Sequence, residues 1–265
     1  MKFSIITVTL NSERHLAECI GSVLGQENAE LEQILVDGGS TDGTLDIVRR
    51  FAAVDPRLRW ISGPDAGIAD AFNKGLALAT GELIGILNSD DAYAPGALSR
   101  VAAAFADHPG CDVFHGDMER FRDDTPLFVL KPAPVGENIW YEMPVNHPAT
   151  FVTGRAYDKV GRFDPRLRVA MDYELVLRLY LAGCRFHYIP ALLARMRYGG
   201  ASDDRFIQAR QEVVAVTVRA GYPRHKAWFW FCLSILKSSL KNLLRRLRLH
   251  ALIRLHPRFR PGAGR

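Results

Sequence analysis

Three stretches of this 265-residue chain carry acids at spacings that can do chemistry. In Val36-Asp37-Gly38-Gly39-Ser40-Thr41-Asp42-Gly43-Thr44 an acid follows an apolar run. The glycines permit a tight turn and close approach to a ligand, and Thr41 or Asp42 can cap a helix; as an isolated feature this is also an ordinary turn. In Leu87-Asn88-Ser89-Asp90-Asp91 two adjacent carboxylates end a second apolar run. They repel each other unless something positive neutralises them, and a divalent cation carrying a diphosphate does so; a solvated turn with capping acids is the plainer alternative. In Ala170-Met171-Asp172-Tyr173-Glu174-Leu175 a helix starts after a loop, and a first-turn carboxylate there can take a proton from a hydroxyl. Acids are favoured at helix N-termini in any case. Between the first two stretches, the segment from Asp65 to Gly75 puts acids in a helix's first turn and Lys74 beside Asn73, either as a surface lysine or as a phosphate ligand.

These acids need a scaffold, and the hydropathy pattern supplies one. Up to about Cys111, short apolar runs alternate with segments of helical period, as in successive βα units over a largely parallel sheet. Strands are expected at residues 3–9, 33–36, 58–62 and 83–87, with helix faces formed by Leu16, Ile20 and Val23, by Leu45, Val48 and Phe51, and by Ile68, Phe72 and Leu76. The first two acidic turns then fall at the carboxyl edge of the sheet, where open α/β sheets bind ligands. After Pro95 the pattern predicts a helix at 96–106, a strand at 111–115 and hairpins and loops over 126–148 that shape a cleft. A helix at 171–182, strands at 186–190 and 192–198, and a surface helix at 203–220 complete the body.

Composition bounds the possibilities. With 48% hydrophobic and 24% charged residues, and Gly and Pro scattered rather than periodic, the chain is a packed soluble protein and not collagen, coiled coil or a disordered polymer. Cys19, Cys111, Cys184 and Cys232 are far apart without a CxxC pair, so they read as reduced thiols of a cytosolic protein. The opening MKFSIITVTLNSE reads as a first strand rather than a signal peptide, which puts the start of the mature chain at or near Met1. No GxGxxG follows a strand, and Asn11-Ser12-Glu13-Arg14 lacks the glycine-rich loop of a sugar-nucleotide pyrophosphorylase, so neither that enzyme nor a dehydrogenase is supported.

Taken in order, TVTLNSE, DGGSTDGT, DAGIADAFNKG, ATGELIGILNSDD, GRFD, MDYELVLRL and RYGGAS resemble the family 2 glycosyltransferases over residues 1–203. The resemblance is nearest to bacterial enzymes that build surface polysaccharides or glycolipids. It implies the α/β fold called GT-A, a Rossmann-like mixed sheet flanked by helices. The expected organisation is a domain over 1–210, with a nucleotide-sugar half (1–95) and an acceptor half (96–210), and a tail over 211–265. By match, Asp37 with Thr7 and Asn11 would line the nucleotide pocket. Lys74, Asn88 and Asp90 would contact the nucleotide sugar, and Asp90 and Asp91 a divalent ion, Mn2+ or Mg2+. Asp172 falls at the position of the catalytic base, and His147 and Arg178 would face the acceptor. Asn88 stands where the family has an acid and Met171 where it usually has Glu. The implied reaction is inverting transfer from a nucleoside-diphosphate sugar, a uridine diphosphate sugar by family frequency, to a glycan or lipid-linked acceptor. The alternative is a module of the same fold that binds without turnover.

The C-terminal region carries a different signal. Residues 213–265 hold 12 Lys and Arg and no acid, leaving 22 basic against 29 acidic residues in 1–212. Within 225–255, Trp228-Phe229-Trp230-Phe231 precedes a leucine stripe interleaved with basic residues. The unbroken apolar run is far below the roughly 20 residues of a spanning helix. The pattern predicts an amphipathic helix lying on an anionic membrane surface, which would make the protein cytoplasmic and peripheral at the inner face of the plasma membrane. Docking against the body or a second subunit is the other reading; a continuous leucine stripe speaks against nucleic acid.

Overall fold

The first strand, β1 (Lys2–Thr9), is buried at five consecutive positions from Phe3 to Thr7, as required of a strand covered on both faces. The computed structural model describes residues 1–27, 29–122, 125–198 and 205–246. In chain order β1 is followed by α1 (Leu16–Leu24), β2 (Glu30–Asp37), α2 (Thr44–Val54), β3 (Leu58–Ser62), α3 (Ile68–Leu78) and β4 (Leu83–Ile86). The strands pair in parallel as expected, with β1 between β2 and β4. The second half contributes β5 (Ala92–Tyr93), α4 (Ala97–Asp107), β6 (Val113–Arg122), β7 (Thr125–Leu130), β8 (Thr150–Thr153), α5 (Gly154–Val160), α6 (Met171–Leu181) and β9 (Phe186–Arg197). Among the described residues nine strands form one sheet, ordered β3-β2-β1-β4-β8-β6-β9-β5 with β7 on β6. β8 runs antiparallel to β4 and β6, and β9 parallel to β6, so the sheet is mixed and flanked by helices.

Several elements of the second half differ from the sequence expectation. β8 and α5 carry no periodic signal because they are only four and seven residues long; β8 is a strand because β4 and β6 offer it ladders on both sides. β6 extends well beyond residue 115, its polar Asp117, Glu119 and Arg120 disguising the run. The two expected strands at 186–190 and 192–198 are one, β9. Pro190 is accommodated because the register with β6 jumps from Ile189–Gly116 to Leu192–Asp117, leaving Pro190 and Ala191 out of the ladder.

Hydrophobic clusters lie on both sheet faces. Ile6, Phe72, Ile84, Val152 and Leu175 belong to one, packing α3 and α6. Phe3, Leu83, Leu98, Phe114 and Phe151 belong to another, packing α1 and α4. The sequence-derived boundary between body and tail, 210/211, falls inside helix α7 (Phe206–Arg219), whose Val214, Val216 and Thr217 are buried against the body. The helix thus packs with the body on both sides of that boundary. The expected start of that helix at residue 203, and the GGAS part of RYGGAS, lie outside the described residues.

Helix α8 (Arg224–Arg246) begins the tail. Its first turns dock: Ala227 is buried, the Trp230 ring stacks on Tyr141 at 3.8 Å, and just before the helix Tyr222 stacks on Trp140 at 5.0 Å. Trp228, Phe229 and Leu236 stay exposed at 42%, 60% and 65%. No helix among the described residues is long and apolar enough to cross a membrane. Residues 247–255 of the expected stripe, and its side chains from Leu240 onward, lie outside the described residues.

Glu32 on β2 ties the N-terminal strands together. Its carboxylate accepts from Ser4 on β1 at 2.6 Å, from the Thr80 amide and hydroxyl at 2.9 and 2.7 Å, and from Arg59 on β3 at 2.9 Å. Burial alone would raise its pKa, but these hydrogen bonds outweigh burial and hold it down at about 2. The folded value lies below the ordinary 4.5, so the stabilisation is complete above pH 4.5 and is lost as pH falls toward 2. Glu32→Gln should cost about 1–3 kcal/mol at pH 7, and the gap to wild type should close in urea melts at pH 4 and then 3. A gap independent of pH would show that the charge is not what stabilises.

Candidate active site

The turn after β2 is built around Asp37, which is 1% exposed. Its Oδ2 accepts from the Gly39 amide at 3.0 Å, the Ser40 amide at 3.1 Å and the Ser62 hydroxyl at 2.6 Å, and its Oδ1 from the Ser40 hydroxyl at 2.5 Å. Burial pushes the pKa up, and these donors bring it below the usual carboxylate range. Oδ2 thus takes three donors and Oδ1 one, so the carboxylate shapes the turn first of all. Thr7 is fully buried and its hydroxyl accepts from Gln33 at 3.0 Å. Asn11, at a left-handed φ of 50°, is exposed; its Oδ1 accepts from the Thr41 amide at 2.9 Å and its own amide donates to Ser40, stitching the β1–α1 loop to the glycine turn. Asp65 and Leu10 crowd Gly38, where a Cβ would stand 2.6 Å from Asp65 Oδ2 and 3.6 Å from Leu10 Cδ1. Sequence spacing does not disclose this grouping; the one signal for Asp65 is its place just ahead of Gly67 and α3. Lys74 is engaged too, pairing with Asp70 at 3.0 Å and donating to the Pro64 carbonyl at 2.9 Å, which makes it a brace for that loop rather than an open phosphate ligand.

At the end of β4, the chain turns with the Asp91 amide donating to the Asn88 carbonyl at 3.1 Å, while the Ser89 hydroxyl meets that of Ser12 at 2.8 Å. The adjacent acids separate. Asp90 is half-buried, whereas Asp91 is 2% exposed and its Oδ1 accepts from the Arg197 amide on β9 at 3.0 Å. Burial, then the charge of Asp90, push Asp91 up to about 8. Its Oδ2 is buried without a hydrogen-bond partner, so Asp91 stands deeper than Asp90 with one oxygen uncommitted. Among the described residues no group of three His, Cys, Asp or Glu side chains could hold a metal ion on its own. Asp90 beside Asn88 fits an ion that arrives with a diphosphate, because Mg2+-type ions are commonly held by one or two carboxylates together with substrate phosphates.

Asn88 opens onto a cleft of about 270 Å³ that Asp172 and His147 also line. Asp172 sits in the first turn of α6, its Oδ1 accepting from the Tyr173 amide at 2.7 Å. His147, from the short helical turn before β8, lies 5.9 Å from the Phe72 ring. Burial lowers its pKa while Asp172 opposes the shift, so the imidazole is neutral at physiological pH. Arg168 and Arg205 bring positive charge to the cleft, and Met118, Met143, Met171 and Met196 give it deformable walls. Neither arginine stands out in the sequence, because each is one among many and only the fold brings them to the cleft.

Arg178 is elsewhere. It pairs with Glu174 at 2.7 Å and donates to the carbonyls of Val160 and Arg162, fastening the loop between α5 and α6, so its expected acceptor role is corrected to a structural one. The same region explains two motifs. Asn73 of DAFNKG donates to and accepts from the Phe163 backbone of GRFD at 2.9 Å each, joining α3 to the loop that leads to Asp172.

Comparison with known proteins agrees with this geometry. The family model described as glycosyl transferase family 2 matches residues 4–160. A PGL/p-HBAD biosynthesis glycosyltransferase of Mycobacterium bovis is 34% identical over 180 residues, covering 67% of this chain and 69% of that protein. The structure of S. aureus TarS 1-349 in complex with UDP-GlcNAc superposes with a TM-score of 0.65 at 23% identity, covering 86% of this chain and 69% of that one. The mannosyltransferase PcManGT from Pyrobaculum calidifontis, in complex with GDP-Man and Mn2+, gives 0.66 at 19% identity over 97% and 81% of the two chains. At these identities the two structures establish the GT-A fold. Arg178→Met should lower the unfolding temperature by several degrees, as expected for losing about 1–3 kcal/mol, and leave the KM for any acceptor unchanged in steady-state assays; a raised acceptor KM would return Arg178 to the cleft.

Proposed function

The chain belongs to glycosyl transferase family 2, and on that premise we propose that it transfers a sugar, with inversion, from a nucleoside-diphosphate donor to a hydroxyl of a glycan or lipid-linked acceptor. A uridine diphosphate sugar is the favoured donor, and the setting is glycolipid or surface-polysaccharide synthesis. The observation that carries this reading is a single cleft lined by Asn88 from the end of β4 and Asp172 from the start of α6. A diphosphate held at the strand-end turn directs its sugar toward that carboxylate.

The side chains divide the chemistry between them. Asp172 takes the proton of the acceptor hydroxyl, the hydroxyl oxygen attacks the anomeric carbon from the face opposite the leaving group, and the carbon–oxygen bond to the diphosphate breaks with its electron pair going to the diphosphate. The neutral His147 beside Asp172 orients the hydroxyl by hydrogen bonding. Arg205 offsets the charge that develops on the diphosphate, while the Arg168 guanidinium stays on the Ala66 carbonyl. Asp90, with Asn88, would hold Mn2+ or Mg2+, whose Lewis acidity stabilises the same leaving group. Gly38, Asp65, Leu10 and the exposed side of Asn11 surround the nucleotide, on a turn that Asp37 keeps in shape.

The exposed Trp228, Phe229 and Leu236 on a helix without acids support peripheral attachment to an anionic membrane at its cytoplasmic face, with the docked first turns of α8 fixing the angle of approach. Each basic residue close to such a surface contributes about 1 kcal/mol.

Calorimetry with uridine diphosphate should show binding that depends on Mn2+ and that Asp90→Asn abolishes; equal affinity in EDTA would remove the ion from the site. Asp172→Asn should leave that affinity intact and slow transfer by about 10²- to 10⁴-fold; full activity would place the base elsewhere, and a wild type that turns over no donor with any acceptor would favour a binding module. Replacing Trp228, Phe229 and Leu236 together by Ala should release the protein from phosphatidylglycerol vesicles in co-sedimentation while transfer to a soluble acceptor is unchanged. Equal sedimentation of both forms would leave α8 as a packing element.

A further inference from the structure

The three residues ahead of α6 direct their backbone amides at one carboxylate. Glu212, on α7 and more than 40 residues downstream, accepts from the Arg168 amide at 3.1 and 3.2 Å through its two oxygens, from Val169 at 2.9 Å and from Ala170 at 2.8 Å. Gln208, one turn earlier on α7, donates to the same carboxylate at 3.0 Å. The segment is anchored on its other side by the Arg168 guanidinium, which donates to the Ala66 carbonyl at 2.6 Å in the turn before α3. Ala170 precedes the helix and Asp172 lies in its first turn, so the direction of that carboxylate is set by where Glu212 holds the helix start.

We propose that Glu212 is the positioning residue for the base. This rests on reading Asp172 as that base. Glu212 does not line the cleft and acts only through the segment it clamps. A carboxylate suits this role because it is acceptor-only, with two oxygens for a row of parallel amides, and hydrogen bonds to an ionised acceptor are about twice as strong as neutral ones. Oε2 alone accepts from all three amides and Oε1 from Gln208, so a side-chain amide would keep the row only as a neutral, weaker acceptor and would turn an NH2 toward the Gln208 donor. Since an error of about 1 Å at a reacting group can cost on the order of 100-fold, a looser clamp should be read in the rate of transfer and not in donor affinity. The clamp also gives α7 a role that its sequence, a surface helix of modest amphipathicity, does not disclose.

The test is a double-mutant cycle on the full chain with Mn2+ and a uridine diphosphate sugar. Glu212→Gln should lower kcat by about 10- to 100-fold with uridine diphosphate affinity unchanged. In an Asp172→Asn background the same change should cost less than about twofold, because what Glu212 orients is already gone. Equal losses in both backgrounds, or full activity in Glu212→Gln alone, would overturn the proposal and leave the base reading standing. Full activity in Asp172→Asn would overturn the base reading and the proposal with it. If Glu212→Gln fails to fold, Gln208→Met removes one donor to the carboxylate and goes through the same cycle. A loss of about two- to fivefold confined to the Asp172 background supports the clamp, and no loss or an equal loss in both overturns it.

Discussion

Strand β4 is the constraint on which the rest of the molecule depends. It has four residues, all buried, and it alone holds β1 in parallel on one side and β8 antiparallel on the other. The parallel N-terminal strands and the mixed strands of the second half meet there, and the turn that follows brings Asn88 to the cleft. Close packing holds this junction: a Cβ on Gly85 would stand 2.5 Å from the Tyr93 hydroxyl oxygen and 2.8 Å from the Phe151 ring. The parallel strands of one half can face the antiparallel and parallel strands of the other only because the strand between them lacks a side chain at that point.

Carboxylates carry much of the architecture. Glu32 bridges β1, β2 and β3, Asp37 shapes a glycine turn, Asp91 receives the Arg197 amide from β9, and Glu212 gathers three amides ahead of α6. In each case an acid satisfies backbone or hydroxyl donors that would otherwise be stranded, and an unmade hydrogen bond in a buried place costs more than a made one contributes. Asp65, Asp90 and Asp172 are half-buried, as Glu212 is, so what an acid does here depends on which donors reach it and not on burial alone.

The cleft couples distant parts of the chain. Met143 and His147 stand on the segment that also presents Trp140 and Tyr141 to Tyr222 and Trp230, and the Tyr173 hydroxyl, next to Asp172, donates to the Ile139 carbonyl at 2.5 Å. The wall of the cleft, the start of α6 and the docked turns of α8 are therefore one packed unit.

From the sequence alone the N-terminal βα units can be read, because helical and strand periods there run long enough to be distinct and each strand ends in a glycine or acid turn. The order of motifs is enough to identify the family, and Asn88, His147 and Asp172, singled out by that resemblance, line one cleft in the structure. The second half is less legible. β8 has too few residues to show a period, β9 conceals a register jump at Pro190, and α7 reads as a surface helix. Tertiary structure alone decided which of two adjacent acids turns inward, since a pair such as Asp90-Asp91 has no internal asymmetry until Arg197 arrives from more than 100 residues away. It likewise decided that Thr7, Asp37, Lys74 and Arg178 spend their polar groups on the protein. Residue type and spacing specify what a side chain can bind, and only the fold specifies whether another part of the chain has already bound it.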